Sequence, residues 1–227
     1  MSDLSDLLAN NRRWAGEIER SYPGFFTQLA QQQAPQYLWI GCSDSRVPAN
    51  QIVDLLPGAI FVHRNVANQV HHADLNCLSV LHFAVNSLRV RDIIVCGHYR
   101  CGGVKAVLES VLEEKDHGLL DHWLRPLAEV YHRHTELFDG LPLPARMDAL
   151  CELNVIEQAE HVCSTPVVQQ AWRAGQDLSV HGLIYGVEDG LLRGLDLHIN
   201  GPAALEPRYR QAVAGVLQRA GARANTE

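Results

Sequence analysis

Two thiols, an imidazole and a carboxylate are gathered into two short clusters, Cys42-Ser43-Asp44-Ser45-Arg46 and His98-Tyr99-Arg100-Cys101-Gly102-Gly103. Thiolates with an imidazole suit zinc, which prefers four such groups in a tetrahedron. A zinc finger answers one short cysteine pair with another short pair. Here a C-x-D and an H-x-x-C lie more than fifty residues apart, so only a fold that brings two strand ends together can join them. That arrangement points to an enzyme site rather than a structural clip. Cys42, His98 and Cys101 make a complete catalytic set, because a catalytic zinc keeps its fourth place for water. Asp44 can fill that place in one state and leave it in another. Arg46 offers the released carboxylate two parallel hydrogen bonds. Gly102 and Gly103 let a bare backbone N–H, at a helix start, approach a developing negative oxygen.

The elements that must position these residues follow from apolar spacing. Tyr37 to Gly41 reads as a strand ending at the first cluster, and Asp92 to Gly97 as one ending at the second. A further strand covers Ala59 to His63 after the Pro57-Gly58 turn, and Leu178 to Tyr185 pairs with Leu192 to Ile199 across Glu188-Asp189-Gly190. Helices are expected over Leu4–Arg20, Phe25–Gln32, Leu75–Leu88, Gly102–Leu112, Leu119–Leu137, Ala145–Gln170 and Leu205–Ala220. Strands alternating with helices predict an α/β fold: a mostly parallel central sheet, flanking helices and a C-terminal antiparallel strand pair. In such sheets the site lies beyond the carboxyl ends of the strands, where both clusters fall. The whole chain, 1–227, reads as one domain. Its 1–32 segment is a helical arm whose apolar residues, Leu4, Leu7, Leu8 and Trp14, lack a core of their own and look to a neighbouring subunit.

Composition narrows the field. A net charge of −7 argues against nucleic acid as a partner, since phosphate neutralisation needs a basic patch. No apolar run approaches the roughly 20 residues that cross a bilayer. The N-terminus shows no secretory pattern, so a cytoplasmic location is expected. Six cysteines in 227 residues do not make a disulfide scaffold. Cys77, Cys96, Cys151 and Cys163 fall in apolar or helical patterns and read as packing. His63, His71, His72 and His117 are candidate proton shuttles, because an unperturbed histidine titrates near pH ~6.5, but each reads first as an ordinary surface or hydrogen-bonded histidine. His132 and His134 are expected to face solvent.

C-x-D-x-R followed by H-x-x-C-G-G resembles the β-class carbonic anhydrases, specifically the bicarbonate-regulated bacterial type. The similarity runs from Asn10-Asn11 through Leu38-Trp39-Ile40-Gly41-Cys42 and His63-Arg64-Asn65-Val66-Ala67-Asn68 to Tyr185-Gly186. It implies reversible hydration of CO2 to bicarbonate and a proton by a zinc-bound hydroxide, with one zinc per chain. Cys42, His98 and Cys101 become permanent ligands, Asp44 a ligand of the resting form and Arg46 its partner on release. Gln33 matches a glutamine that hydrogen-bonds substrate from the adjacent subunit, which implies a homodimer or homotetramer. Phe61, Val66 and Phe83 match the apolar wall that receives CO2. Two thiolates make zinc a weaker acid than three imidazoles do, so its water should ionise at higher pH. Trp39, Arg64 and Tyr185 match an allosteric bicarbonate site. Asn50 stands where some members carry a glutamate that holds Arg64, and its presence here is expected to leave Arg64 freer. Arg100, between two ligands, departs from the usual small or uncharged residue and is expected to extend to solvent. The rival readings are a hydrolase of CS2 or a related triatomic substrate, and a non-catalytic zinc-stabilised regulatory protein.

Overall fold

A computed structural model describes residues 3–224, which divide between Ala34 and Pro35 into two compact units. The N-terminal unit holds α1 (Leu4–Ser21) and α2 (Phe25–Gln31). Asp3 caps α1 by accepting from the Ser5 N–H, while Asp6 accepts from the Asp3 N–H, so two otherwise orphaned donors are satisfied. The ring of Trp14 meets that of Phe26 edge to face at 5.8 Å. Leu4, Leu7 and Leu8 remain exposed, and neither helix buries a residue.

The second unit runs β1 (Tyr37–Cys42), α3 (Ala49–Ile52), β2 (Ile60–Asn65), α4 (Leu75–His82), β3 (Asp92–His98), α5 (Gly102–Glu113), α6 (Leu119–Arg133), α7 (Leu143–Ser164), α8 (Pro166–Arg173), β4 (Ser179–Tyr185), β5 (Leu192–Ile199) and α9 (Pro202–Ala224). The strands form one sheet in the order β2-β1-β3-β4-β5, parallel throughout except for the antiparallel β4–β5 pair. This is the expected α/β architecture. β1 and β3 are buried almost end to end, as central parallel strands covered on both faces should be, whereas edge strand β5 alternates buried and exposed residues. Leu38, Ile40, Ile93 and Val95 pack with Leu150, Leu153 and Ile156 of α7 in the main core.

Three expected helices change at their ends for physical reasons. The one foreseen over 145–170 is two, because Pro166 cannot donate to a helical carbonyl; Thr165 caps α8 by accepting from the Val168 N–H. The one over 75–88 is α-helical only to His82 and widens into a π-helical turn over Phe83–Ser87. The one over 119–137 stops at Arg133, and a 3-10 turn over Thr135–Phe138 follows. The stretch between them turns His134 inward, 3.4 Å from a carboxylate oxygen of buried Glu157, so this histidine does not simply face solvent.

Residues 41 and 96 are register partners on β1 and β3, which brings the carboxyl ends of the two strands side by side. Gly97 makes the close packing behind that junction possible. A Cβ there would come within 2.5 Å of Val155 Cγ2 and 3.3 Å of Ile184 Cδ1. Gly97→Ala is therefore expected to destabilise the fold by about 1–3 kcal/mol, the usual range for overpacking a filled core. Equilibrium urea unfolding checks this, and an unchanged midpoint would show that α7 can shift away at no cost.

Candidate metal centre

Cys42 ends β1, His98 ends β3, and Cys101 sits at the N-terminus of α5. Their ligand atoms all lie within 4.8 Å of one another, and all three residues are buried. The two sulfurs are 3.9 Å apart. Two Zn–S bonds of ~2.3 Å at a tetrahedral angle span about 3.8 Å, so the spacing fits one zinc without rearrangement. His98 Nδ1 donates to the Tyr99 carbonyl at 3.0 Å, which leaves the Nε2 lone pair facing the sulfurs. That Nε2 is buried and has no hydrogen-bond partner among the described residues. A buried nitrogen with no partner is costly, and a metal ion is what these three atoms together can hold.

The electrostatics agree. Cys42 is driven well below the ordinary thiol range, chiefly because the Cys101 thiol donates to it, with help from His98. The pair thus gives up its first proton readily. Elsewhere burial does the opposite: it pushes Cys77 up to about 12 and also raises Cys96, Cys151 and Cys163. Those four are buried free thiols, as packing residues should be.

Asp44 lies beside this centre and is turned toward Arg46. Its Oδ1 accepts from Arg46 Nε and its Oδ2 from Arg46 Nη2, at 2.9 and 2.7 Å, and Oδ1 also accepts from the Arg46 backbone N–H. Those hydrogen bonds hold the carboxyl well below the usual carboxylate range. Asp44 Oδ2 is nonetheless only 3.7 Å from His98 Nε2. Arg46 Nη2 also donates to the Arg100 carbonyl at 3.3 Å, tying the two clusters together. The Arg100 side chain extends outward to Glu188 at 2.6 Å, as expected.

Arg64 is not free, contrary to the expectation drawn from Asn50. Its Nε donates to the Cys42 carbonyl at 2.8 Å and its Nη2 to the Asp44 carbonyl at 2.5 Å, bracing the backbone of the first cluster. Asn50 instead donates to the carbonyls of Leu55 and Leu56. Trp39 is 1% exposed and packs in a small cluster with Cys96, against which Tyr185 also lies. Phe61 and Phe83 are brought together, ring centres 5.7 Å apart, while Val66 lies against Gly103. Phe83 and Val66 are 44% and 39% exposed. A Cβ on Gly103 would meet Ala67 and Val66 at 3.0 and 3.2 Å, whereas one on Gly102 would meet open space. Gly102 contributes its N–H in the first turn of α5, and the close approach belongs to Gly103. Gln33 belongs to the N-terminal unit and is exposed. Of the candidate shuttles, His63 and His71 are lowered by burial, His72 donates to the His161 carbonyl, and His117 lies 3.2 Å from Glu109.

A family model described as carbonic anhydrase matches residues 37–192, the stretch from β1 to the start of β5. The solved β-carbonic anhydrase of Coccomyxa, in complex with acetazolamide, superposes with a TM-score of 0.86 at 41% identity, over 93% of this chain and 96% of that one. The chain belongs to the β-class carbonic anhydrases. A carbonic anhydrase of Emericella nidulans is 45% identical over 200 residues, 88% of this chain and 85% of that protein. A tetrameric β-carbonic anhydrase of Sordaria macrospora matches with a TM-score of 0.80 at 37% identity, over 85% and 96% of the two chains. These relatives are algal and fungal, so the likeness carries the β class and not specifically the bicarbonate-regulated bacterial type. This carbonic anhydrase hydrates CO2 reversibly at the Cys42–His98–Cys101 zinc site, and that donor set is consistent with one zinc per chain. The readings as a CS2-type hydrolase and as a non-catalytic zinc protein are set aside. No described helix is long and apolar enough to cross a membrane.

Proposed function

We propose that this carbonic anhydrase turns over by moving Asp44 between the metal and Arg46. One observation carries the reading: Asp44 is held by a two-point fork on Arg46 while its other approach, to His98 Nε2, is 3.7 Å long. When bound, zinc supplies the Lewis acidity that makes a hydroxide nucleophile available near neutral pH. Arg46 clears the fourth position by keeping Asp44 ionised and engaged. Phe61, Phe83 and Val66 offer an apolar surface suited to a substrate with no charge to grip. The N–H groups in the first turn of α5 face the developing anion with the positive end of the helix dipole. Gln33 is proposed to act across a subunit boundary, in a homo-oligomer whose contacts cover the exposed leucines of α1; the tetrameric Sordaria relative supports that assembly.

Crystal structures on either side of neutrality test the exchange. Asp44 is expected on the metal in acid and on Arg46 in alkali. Finding it on Arg46 throughout, with turnover undiminished in acid, would remove the exchange.

A regulatory anion at Trp39, Arg64 and Tyr185 remains a separate proposal, and it requires Arg64 to release the Cys42 and Asp44 carbonyls. Relief of bicarbonate inhibition in Arg64→Ala would support such a site. Slower turnover with unchanged inhibition would leave Arg64 as a brace alone.

A further inference from the structure

Glu152 lies in the middle of α7 and is 1% exposed. Its two oxygens are taken by residues from different parts of the chain. The Tyr99 hydroxyl donates to Oε1 at 2.6 Å, and Arg219 Nε, from α9, donates to Oε2 at 2.7 Å. Tyr99 stands between the ligands His98 and Cys101. Its carbonyl accepts the His98 Nδ1 proton, and its own N–H donates to the Tyr185 carbonyl at 3.0 Å. The contacts thus run by hydrogen bond from Arg219 to Glu152 and on to the Tyr99 hydroxyl, through the covalent frame of Tyr99, and by hydrogen bond from its carbonyl to His98.

Stability does not account for this arrangement. Taking a carboxylate out of water costs several kcal/mol, and a well-packed apolar residue of similar volume is often as stable or more so. A buried charge does give direction. A carboxylate fixed by an arginine on one oxygen presents the other at a defined place, and a charge-assisted bond to a phenol is strong and short. Partners outside the ligand shell set ring orientation and basicity in metal sites generally.

We infer that Glu152, anchored by Arg219, is a positioning residue for the metal centre: it fixes Tyr99 and thereby the angle at which His98 Nε2 and Cys101 Sγ are presented. The C-terminal helix α9 is in this way part of the metal site. The inference rests on the zinc centre described above and adds to it the residues that aim the ligands.

The test uses holoenzyme with its zinc, and cobalt-substituted protein for spectroscopy. Zinc release into an excess of a chromophoric chelator is measured for wild type, Tyr99→Phe, Arg219→Met and the double variant. Each single change is expected to speed release about 10-fold, the low end for partners of metal ligands. The thiolate-to-cobalt absorption band should shift in both, which loss of packing elsewhere would not cause. The double variant should release zinc no faster than the faster single, because both residues act through one carboxylate. Release within about 2-fold of wild type in Tyr99→Phe, with an unchanged cobalt band, would overturn the inference, as would effects that multiply in the double variant. Should Arg219→Met fail to fold, Tyr99→Phe decides alone, since it removes one hydroxyl and keeps the ring. Wild type that takes up no zinc would instead bring down the metal centre itself, a result distinct from unchanged release by the variants.

Discussion

Cys42→Ala and His98→Ala are each expected to lose zinc and CO2 hydration together. Two ligands from one cluster and one from the other hold the site, and removing either named residue leaves two atoms to bind a metal that prefers four. Partners one shell further out already cost about 10–100-fold in affinity or activity when removed, so loss of a ligand should exceed about 100-fold. The His98 change also removes the buried nitrogen, while the Cys42 change leaves that nitrogen and the Cys101 thiol unpaired. Metal analysis after gel filtration, beside stopped-flow hydration, reads both effects. A folded Cys42→Ala protein carrying a full complement of zinc would place the metal elsewhere.

Arg46→Ala is expected to fold normally and keep zinc, yet lose about 100-fold in kcat near neutral pH, the scale of an oriented charged group in catalysis. The Arg46 guanidinium is half exposed, so beyond Asp44 its removal costs only the longer bond to the Arg100 carbonyl. Deprived of the fork, the carboxylate would lose the partner that holds it away from the Cys42, His98 and Cys101 donors, which would hold the metal. Arg46→Lys should recover only part of the rate, because an ammonium cannot reproduce two parallel bonds. The pH dependence has a definite sign. Arg46 depresses the Asp44 value in the folded state. The pair's contribution is therefore complete above the unfolded carboxylate value of about 3.9, and it is lost only as pH falls through the lower folded value. Asp44 does not change charge anywhere near neutrality, so the expected rise of activity in alkali follows ionisation of the nucleophile, which lets it compete with this carboxylate for the metal. A variant as fast as wild type across the whole pH range would show that Asp44 needs no partner to leave.

The metal centre was legible because its chemistry sits in two contiguous clusters at strand ends, where side-chain type and backbone placement coincide. Cys42 and His98 could be assigned from residue type alone once the strands before them were read. The residues that steady those clusters were not legible. Glu152 is more than fifty positions from Tyr99, and only the packing of α7 against the sheet joins them. The same helix carries Asn154, which donates to the Ala67 carbonyl, and Gln158, which accepts from the Val70 N–H. These bonds steady the segment in which Ala67 and Asn68 take left-handed φ values of 62° and 48°. A polar pair spaced four apart, Asn154 and Gln158, among Leu150, Leu153, Val155, Ile156 and Ala159 was the available signal, because a residue on that face has to find a partner indoors. Arg64 was misjudged for a related reason. The missing acid at position 50 suggested a freer guanidinium, but backbone carbonyls make partners that no side-chain pattern reveals. Helix ends failed where a local rule was underweighted, as at Pro166.

The direct pairing of β1 with β3 has a thermodynamic consequence. In a zinc finger the ion must close a loop of disordered chain, so much of its affinity is consumed in ordering the polypeptide. Here the ladder from Tyr37 to Gly41 against Asp92 to Cys96 has already met the entropy of bringing distant segments together. Zinc arrives at ligands whose separation the sheet dictates. Its binding energy is thereby available for holding the ion tightly and for tuning its acidity, and the fold does not wait on the metal to exist.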